Sequence, residues 1–126
     1  LNDLIRGYDN IKFLGKQIDI PEIISLKDVS ILPTYYREGT PRFLLESMAM
    51  KKPIITTTMP GCDHLIQNNE NGILIEPRSF DAIEKSINFI CERELKWMGE
   101  ASYKIYKRDF SEKIVYNSLI NIYNDL

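Results

Sequence analysis

The chain is predicted to fold as an α/β domain, a parallel sheet with helices on both faces. Three observations carry this expectation. Short apolar runs rich in β-branched residues recur at Ile11–Leu14, Val29–Leu32, Ile54–Thr58 and Ile73–Ile75, each short enough to be a buried strand. The segments between them repeat their apolar residues at helical spacing. Strands and helices therefore alternate as β-α-β-α-β-α-β-α-α-α, and parallel neighbours need such crossovers.

Taken in order, Leu1–Tyr8 reads as a short helix or the end of one, and Asn10 leads into a strand over Ile11–Gly15. Asp19 or Ile20 begins a helix with Pro21 in its first turn; Ile23, Leu26 and Lys27 share a face. Val29–Leu32 is a strand that Pro33 ends, and Thr34–Arg37 is a loop. Thr40 is an N-cap residue and Pro41 suits the first helical position. Leu44, Leu45, Met48 and Ala49 form the buried stripe of that helix, and Lys51 and Lys52 put positive charge at its end.

Pro53–Thr58 is the next strand, followed by a Met59-Pro60-Gly61 turn and a short helix from Cys62 to Ile66. Asn71-Gly72 is a turn signal feeding the strand Ile73–Ile75, which Glu76-Pro77 stops. Ser79 caps a helix with Ala82, Ile83, Ser86, Ile87, Phe89 and Ile90 on its apolar face. A second helix runs from Arg93 to Arg108. Ser111 then caps a last one, with Val115, Leu119, Ile122 and Leu126 at helical spacing.

Composition excludes several classes. The 126 residues make one domain or a piece of one. A net charge of −2 lacks the basic excess of an electrostatic nucleic-acid binder. No apolar run approaches the roughly 18 residues of a membrane span, and no signal-peptide pattern opens the chain, which starts at Leu1. Cys62 and Cys91 lack C-x-x-C spacing and share the chain with one histidine, His64. Reduced thiols are expected rather than a zinc site.

The stretch Arg37-Glu38-Gly39-Thr40-Pro41-Arg42, running into the helix that holds Glu46, carries the functional signal. In an open parallel sheet, ligands bind beyond the carboxyl ends of the strands. Free N–H groups at a helix N-terminus suit a phosphate, and Gly39 lets backbone approach a ligand. Glu38 and Glu46, eight residues apart, can accept hydrogen bonds from hydroxyls. Arg42 is a cation in the first turn, where it opposes the helix dipole, and a broken local rule of this kind marks a functional site.

The strings Glu38-Gly39-Thr40-Pro41, Leu45-Glu46-Ser47-Met48-Ala49-Met50 and Lys52-Pro53-Ile54-Ile55 resemble the donor-binding signature of GT-B retaining glycosyltransferases of family 4, group 1. In that signature a Glu, seven residues and a second Glu lie within "EG-x-P-x-x-x-L-E-A-M-A-x-G-x-P-V-I". Asn71-Gly72-Ile73-Leu74-Ile75-Glu76-Pro77 resembles the family's "N-G-x-L-V-x-P". His64 departs from the pattern, which has a Glu there, so that residue's role is not carried over. The resemblance is greatest to bacterial enzymes of capsule, O-antigen and lipid-linked oligosaccharide synthesis.

The resemblance implies a Rossmann-like domain, with residues 1–126 its C-terminal part; its first part and an N-terminal acceptor domain are absent. It implies a nucleotide diphosphate sugar as donor, a hexose or N-acetylhexosamine transferred with retention, and no separate cofactor or metal. Glu38 is the candidate catalytic residue, placed against the transferred sugar. Glu46 is assigned to the ribose, and Gly39, Thr40, Pro41 and Arg42 to the diphosphate end. Gly15 and Lys16 are assigned to the base. The acceptor, a glycan or lipid-linked glycan, belongs to the missing domain, and the fragment is expected to be inactive alone. The full-length enzyme is expected in the cytoplasm, peripheral at the inner face of the membrane. The apolar face of the terminal helix is expected to stay partly exposed. The alternatives are a sugar-nucleotide epimerase or phosphorylase on the same fold, or a flavodoxin-like binding module without chemistry.

Overall fold

The structure, a computed structural model, describes residues 7–125. In chain order the elements are α1 (Ile20–Ser25), β1 (Ser30–Leu32), α2 (Arg42–Ala49), β2 (Ile54–Thr57), a 3₁₀ turn (Asp63–Leu65), β3 (Gly72–Ile75), α3 (Phe80–Cys91), α4 (Leu95–Asp109) and α5 (Glu112–Asn124). The strands form one parallel sheet in the order β1-β2-β3. Leu32, Thr56 and Leu74 share one register row, and Ile31, Ile55 and Ile73 the next.

Because side chains alternate across a strand, the two rows feed two cores. On one face Ile54 packs with Leu44 and Met48 of α2 and Ile105 of α4, with Leu32 and Leu74 alongside. On the other, Ile55, Ile73 and Ile75 meet Ile90 of α3 and Met98 of α4. Helices on both faces are therefore observed. All four β2 residues are buried, as a central parallel strand requires. The hydroxyls of Thr56 and Thr57 donate to the carbonyls of Leu32 (2.9 Å) and Thr34 (2.6 Å), so this strand also pins the chain leaving β1.

Several expectations need correction. Ile11–Leu14 is not a strand. A strand needs a neighbouring strand for its backbone groups, and this run stands exposed with none beside it among the described residues; the Ile11 N–H turns back to the Tyr8 carbonyl at 3.2 Å, and Ile11 and Phe13 are each 49% accessible. The sheet therefore has three strands here, not four. The helix expected over Leu1–Tyr8 lies outside the described residues up to Arg6, and Gly7–Tyr8 is not helical. In α1 the buried residue is Ile24, and Leu26 is exposed. Asp19 caps that helix by accepting from the Glu22 N–H at 3.0 Å.

The turn before β3 also differs from the Asn-Gly reading. The left-handed residue is Asn69 (φ 66°), and Gly72 already lies in the strand, where a Cβ would stand 2.1 Å from the Ile54 carbonyl oxygen. Asn71 is fully buried. It accepts from the Gln67 N–H at 2.8 Å and donates to the Leu65 carbonyl at 3.1 Å, closing the loop from within. Cys62 is buried and Cys91 exposed, both as free thiols. No helix among the described residues is long and apolar enough to cross a membrane.

Candidate functional site

The three parallel strands end at one edge of the sheet, where the loops 33–41, 58–62 and 76–79 gather. The first of these enters α2. Its cap differs by one residue from expectation: Pro41 is the N-cap, its carbonyl accepting from Leu44 N–H at 3.0 Å. The extended φ/ψ of Pro41 (−64°, 121°) is a cap conformation, so Thr40 stands just outside the helix. The Thr40 hydroxyl instead reaches the His64 Nε2 at 3.5 Å, bringing the 3₁₀ turn to the tip of α2.

Gly61 makes this approach possible. It sits at φ +97°, and a Cβ there would lie 2.2 Å from the Glu38 carbonyl oxygen and 2.3 Å from that of Gly39. The Glu38 N–H donates to the Pro60 carbonyl at 3.4 Å. Two loops are thus closed against each other at the tip. Gly39 contrasts with this. Its φ is not in the left-handed region, and a Cβ there would meet nothing within 4 Å. Neither the backbone nor a neighbour among the described residues calls for a glycine at 39, and the space above it is open.

The two carboxylates have separate surroundings. Glu38 is exposed and accepts from the Thr34 hydroxyl at 3.2 Å. Glu46 is held by Arg42, whose Nε donates to Oε1 at 2.7 Å. The Glu46 side chain is 20% accessible and that of Arg42 91%, so the carboxylate is the sheltered member of the pair. Glu46, Arg42 and Phe43 line a cavity of about 480 Å³ together with Ile18, Ile20 and Pro21. Gly15 and Lys16 lie outside that lining, on the exposed segment before it. The reading by sequence missed Ile18, a lone isoleucine between Gln17 and Asp19 that the structure leaves fully exposed.

Sequence reasoning also missed Arg78. It follows β3 in the left-handed region (φ 61°), and its guanidinium lies 4.5 Å from the Tyr35 ring centre. Beneath the loops, Cys62 is fully buried; burial pushes its thiol up, with the charges of Glu38 and Asp63 acting the same way and the Thr56 hydroxyl opposing. A protonated, enclosed thiol is a packing group rather than a nucleophile. No group of three metal-ligating side chains comes together among the described residues.

At this edge lies the N-terminus of α2, whose cap residue Pro41 is buried while Gly39 and Thr40 before it are exposed; its first N–H groups lack intrahelical partners. One carboxylate stands in the preceding loop and another in an apolar-walled cavity one helix face away. Such an arrangement suits an anion at the tip with hydroxyl-bearing groups on either side.

Residues 4–108 match the family model for glycosyl transferases group 1. The chain is 34% identical over 110 residues to the N-acetyl-alpha-D-glucosaminyl L-malate synthase of Bacillus anthracis, covering 85% of this chain and 29% of that enzyme. It is also 34% identical over 101 residues to the capsular polysaccharide biosynthesis glycosyltransferase CapM of Staphylococcus aureus, covering 77% and 26%. The chain thus spans under a third of the length of either relative. In fold it is similar to Anabaena HepE, solved in complex with UDP, with a TM-score of 0.87 at 22% identity over 91% of this chain and 32% of that one. These matches agree with the signature of residues 38–55, and they establish that the chain belongs to the glycosyl transferases group 1, with the Rossmann-like sheet of the GT-B enzymes.

Proposed function

We propose that this chain is the donor-binding part of a retaining glycosyltransferase that moves a hexose or N-acetylhexosamine in surface-polysaccharide or lipid-linked glycan synthesis. The acceptor domain and the first part of the donor domain belong to the rest of the protein, which works in the cytoplasm at the inner membrane face. The donor is a nucleoside diphosphate sugar, with no further cofactor. The observation that carries the reading is the open space at Gly39, two residues before the α2 cap, with Glu38 beside it on the same loop and Glu46 in the cavity beyond.

In this reading the diphosphate sits on the tip, where the helix end contributes roughly half a unit of positive charge. Gly39, Thr40 and Pro41 set its approach, and Arg42 adds a cation at the first turn. Glu46 accepts from the two ribose hydroxyls. The Arg42 side chain, 91% accessible, is free to swing aside and admit them. Ile18, Ile20 and Pro21 provide apolar wall for the nucleoside, with Gly15 and Lys16 beside the base. Glu38 holds hydroxyls of the transferred sugar, fixing its anomeric carbon as the diphosphate departs. The contribution is orientation and charge stabilisation rather than strong acid catalysis.

The test is steady-state kinetics in the intact enzyme. Glu46→Ala is expected to raise the donor KM by about tenfold or more, the worth of a hydrogen bond to a charged group, while leaving the acceptor KM near wild type. Glu38→Gln is expected to lower kcat more than donor affinity. Wild-type donor kinetics in Glu46→Ala would overturn the assignment.

A further inference from the structure

β3 is an edge strand of the described sheet, with β2 on one side only. Its sequence, Gly72-Ile73-Leu74-Ile75, is uncharged and rich in isoleucine. A segment of that composition recruits further strands when its edge stands open. Beside it runs a shallow hollow of about 450 Å³, walled in part by Leu74, Ala82 and Phe89, which would offer an incoming strand apolar contacts.

The alternation of a parallel strand decides which backbone groups face outward. The Asn71 carbonyl accepts from the Ile54 N–H at 3.1 Å and the Ile75 carbonyl from the Thr58 N–H at 3.0 Å, so residues 71, 73 and 75 turn their groups toward β2. Gly72 and Leu74 therefore turn theirs to the outer edge. Both are engaged by the preceding loop. The Gly72 carbonyl accepts from the Asn69 N–H at 2.8 Å, and the Leu74 N–H donates to Asn68 Oδ1 at 3.0 Å. Asn68 and Gly72 also form a one-residue parallel bridge, so the loop lies along β3 as the stub of a further strand. Asn69, in the left-handed region (φ 66°), then turns the chain away and ends the stub. Asparagine suits both positions: its side-chain oxygen stands in for a backbone carbonyl, and it tolerates the left-handed conformation.

We propose that Asn68 and Asn69 form an edge guard, a hook that occupies outward groups of β3 and denies this edge to a strand from a second copy of the chain. The inference stands on these bonds and is independent of the donor reading. Both asparagines are exposed and belong to neither core, so a change at Asn68 leaves the packing of the sheet intact.

The experiment is residue-resolved amide hydrogen exchange by NMR, with thioflavin T fluorescence during incubation, on the wild-type chain, Asn68→Ala and Asn68→Asp. In the wild type the Leu74 amide is expected to exchange slowly although it faces outward. In Asn68→Ala its exchange quickens roughly tenfold, as for loss of one hydrogen bond, while the Ile73 and Ile75 amides keep their protection. Thioflavin T fluorescence then rises sooner than in the wild type, reporting stacked sheets rather than association through the apolar face of α5. Asn68→Asp keeps an acceptor in place and is expected to match the wild type in both readouts. A Leu74 amide that exchanges freely in the wild type, or at the same rate in Asn68→Ala, would overturn the guard. So would Asn68→Ala that loses the bond yet stacks no faster than the wild type, or Asn68→Asp that stacks as fast as Asn68→Ala. Loss of protection at Ile73 and Ile75 as well would mean that Asn68 holds the whole strand and not its edge, which overturns it too.

Discussion

Helices α2 and α5 carry the same kind of apolar periodicity and end in opposite environments. In α2, Leu44, Ser47 and Met48 are buried between the sheet and α4. In α5, thirteen residues long, no side chain is buried, and Leu119 and Tyr123 remain 50% and 72% accessible. The periodicity in both sequences is real, but it records only that a helix has an apolar face. Whether a partner for that face lies within the same 126 residues is set by the rest of the chain. For α2 the partners are strands β1 and β2 and helices α1 and α4; the main partner of α5 is α4, consistent with the exposure expected of the terminal helix.

The sharpest way to break this comparison is to truncate a leucine in each helix. Leu44→Ala opens a cavity in a fully enclosed site and is expected to cost about 2–5 kcal/mol in thermal or urea unfolding. Leu119→Ala is expected to stay within about 0.5 kcal/mol of wild type, as for an exposed position. Equal losses in the two variants would mean that α5 is packed in solution.

A smaller effect tests how α2 is entered. Gly61→Ala places a methyl against the backbone of Glu38 and Gly39 and forces an L-residue into the left-handed region. The combined cost is roughly 2–3 kcal/mol. Wild-type stability in this variant would mean that the two loops are not closed as described.

The smallest effect sharpens the contrast between sealed and open regions. Cys62 packs with Leu44 and Met48 beneath the loops, and Cys91 is exposed at the end of α3. Iodoacetamide is expected to label Cys91 and spare Cys62 until the chain unfolds, read by mass spectrometry of the labelled peptides. The sign of the pH dependence follows. Burial raises the folded Cys62 thiol above its ordinary value of 9.0, so it helps stability fully below that pH. The help is lost as pH climbs from there toward the raised folded value. Stability that rose between pH 9 and 10 in Cys62-retaining protein, relative to Cys62→Ala, would contradict this.

Much of the fold was legible because local rules and tertiary packing agree. The β-branched run at Ile54–Thr57, the Ser79 cap, whose hydroxyl accepts from Ala82 N–H at 3.1 Å, and the stripe of α2 all follow from residue type and spacing. The misses fall where a neighbour decides. Ile11–Leu14 has strand composition and, among the described residues, no strand to pair with. Gly72 looks like half of a turn, yet it is a glycine because the Ile54 carbonyl passes 2.1 Å from where its Cβ would be. At the candidate site, Glu38, Gly39 and Glu46 stood out through the resemblance of residues 38–55 to the glycosyltransferase signature. Ile18, His64 beside Thr40, and Arg78 over Tyr35 are contacts between segments 24 to 43 residues apart, or apolar walls, and no local pattern announces them.

The central claim is that the entrance to α2 at Gly39, between Glu38 and Glu46, receives a nucleoside diphosphate. Calorimetric titration of UDP, with GDP and ADP alongside, into the wild-type chain and Glu46→Gln tests it most directly. Selective binding of one nucleotide by the wild type, weakened at least about tenfold by the substitution, is the expected result. No binding of any of the three, or equal binding by both proteins, would contradict the claim.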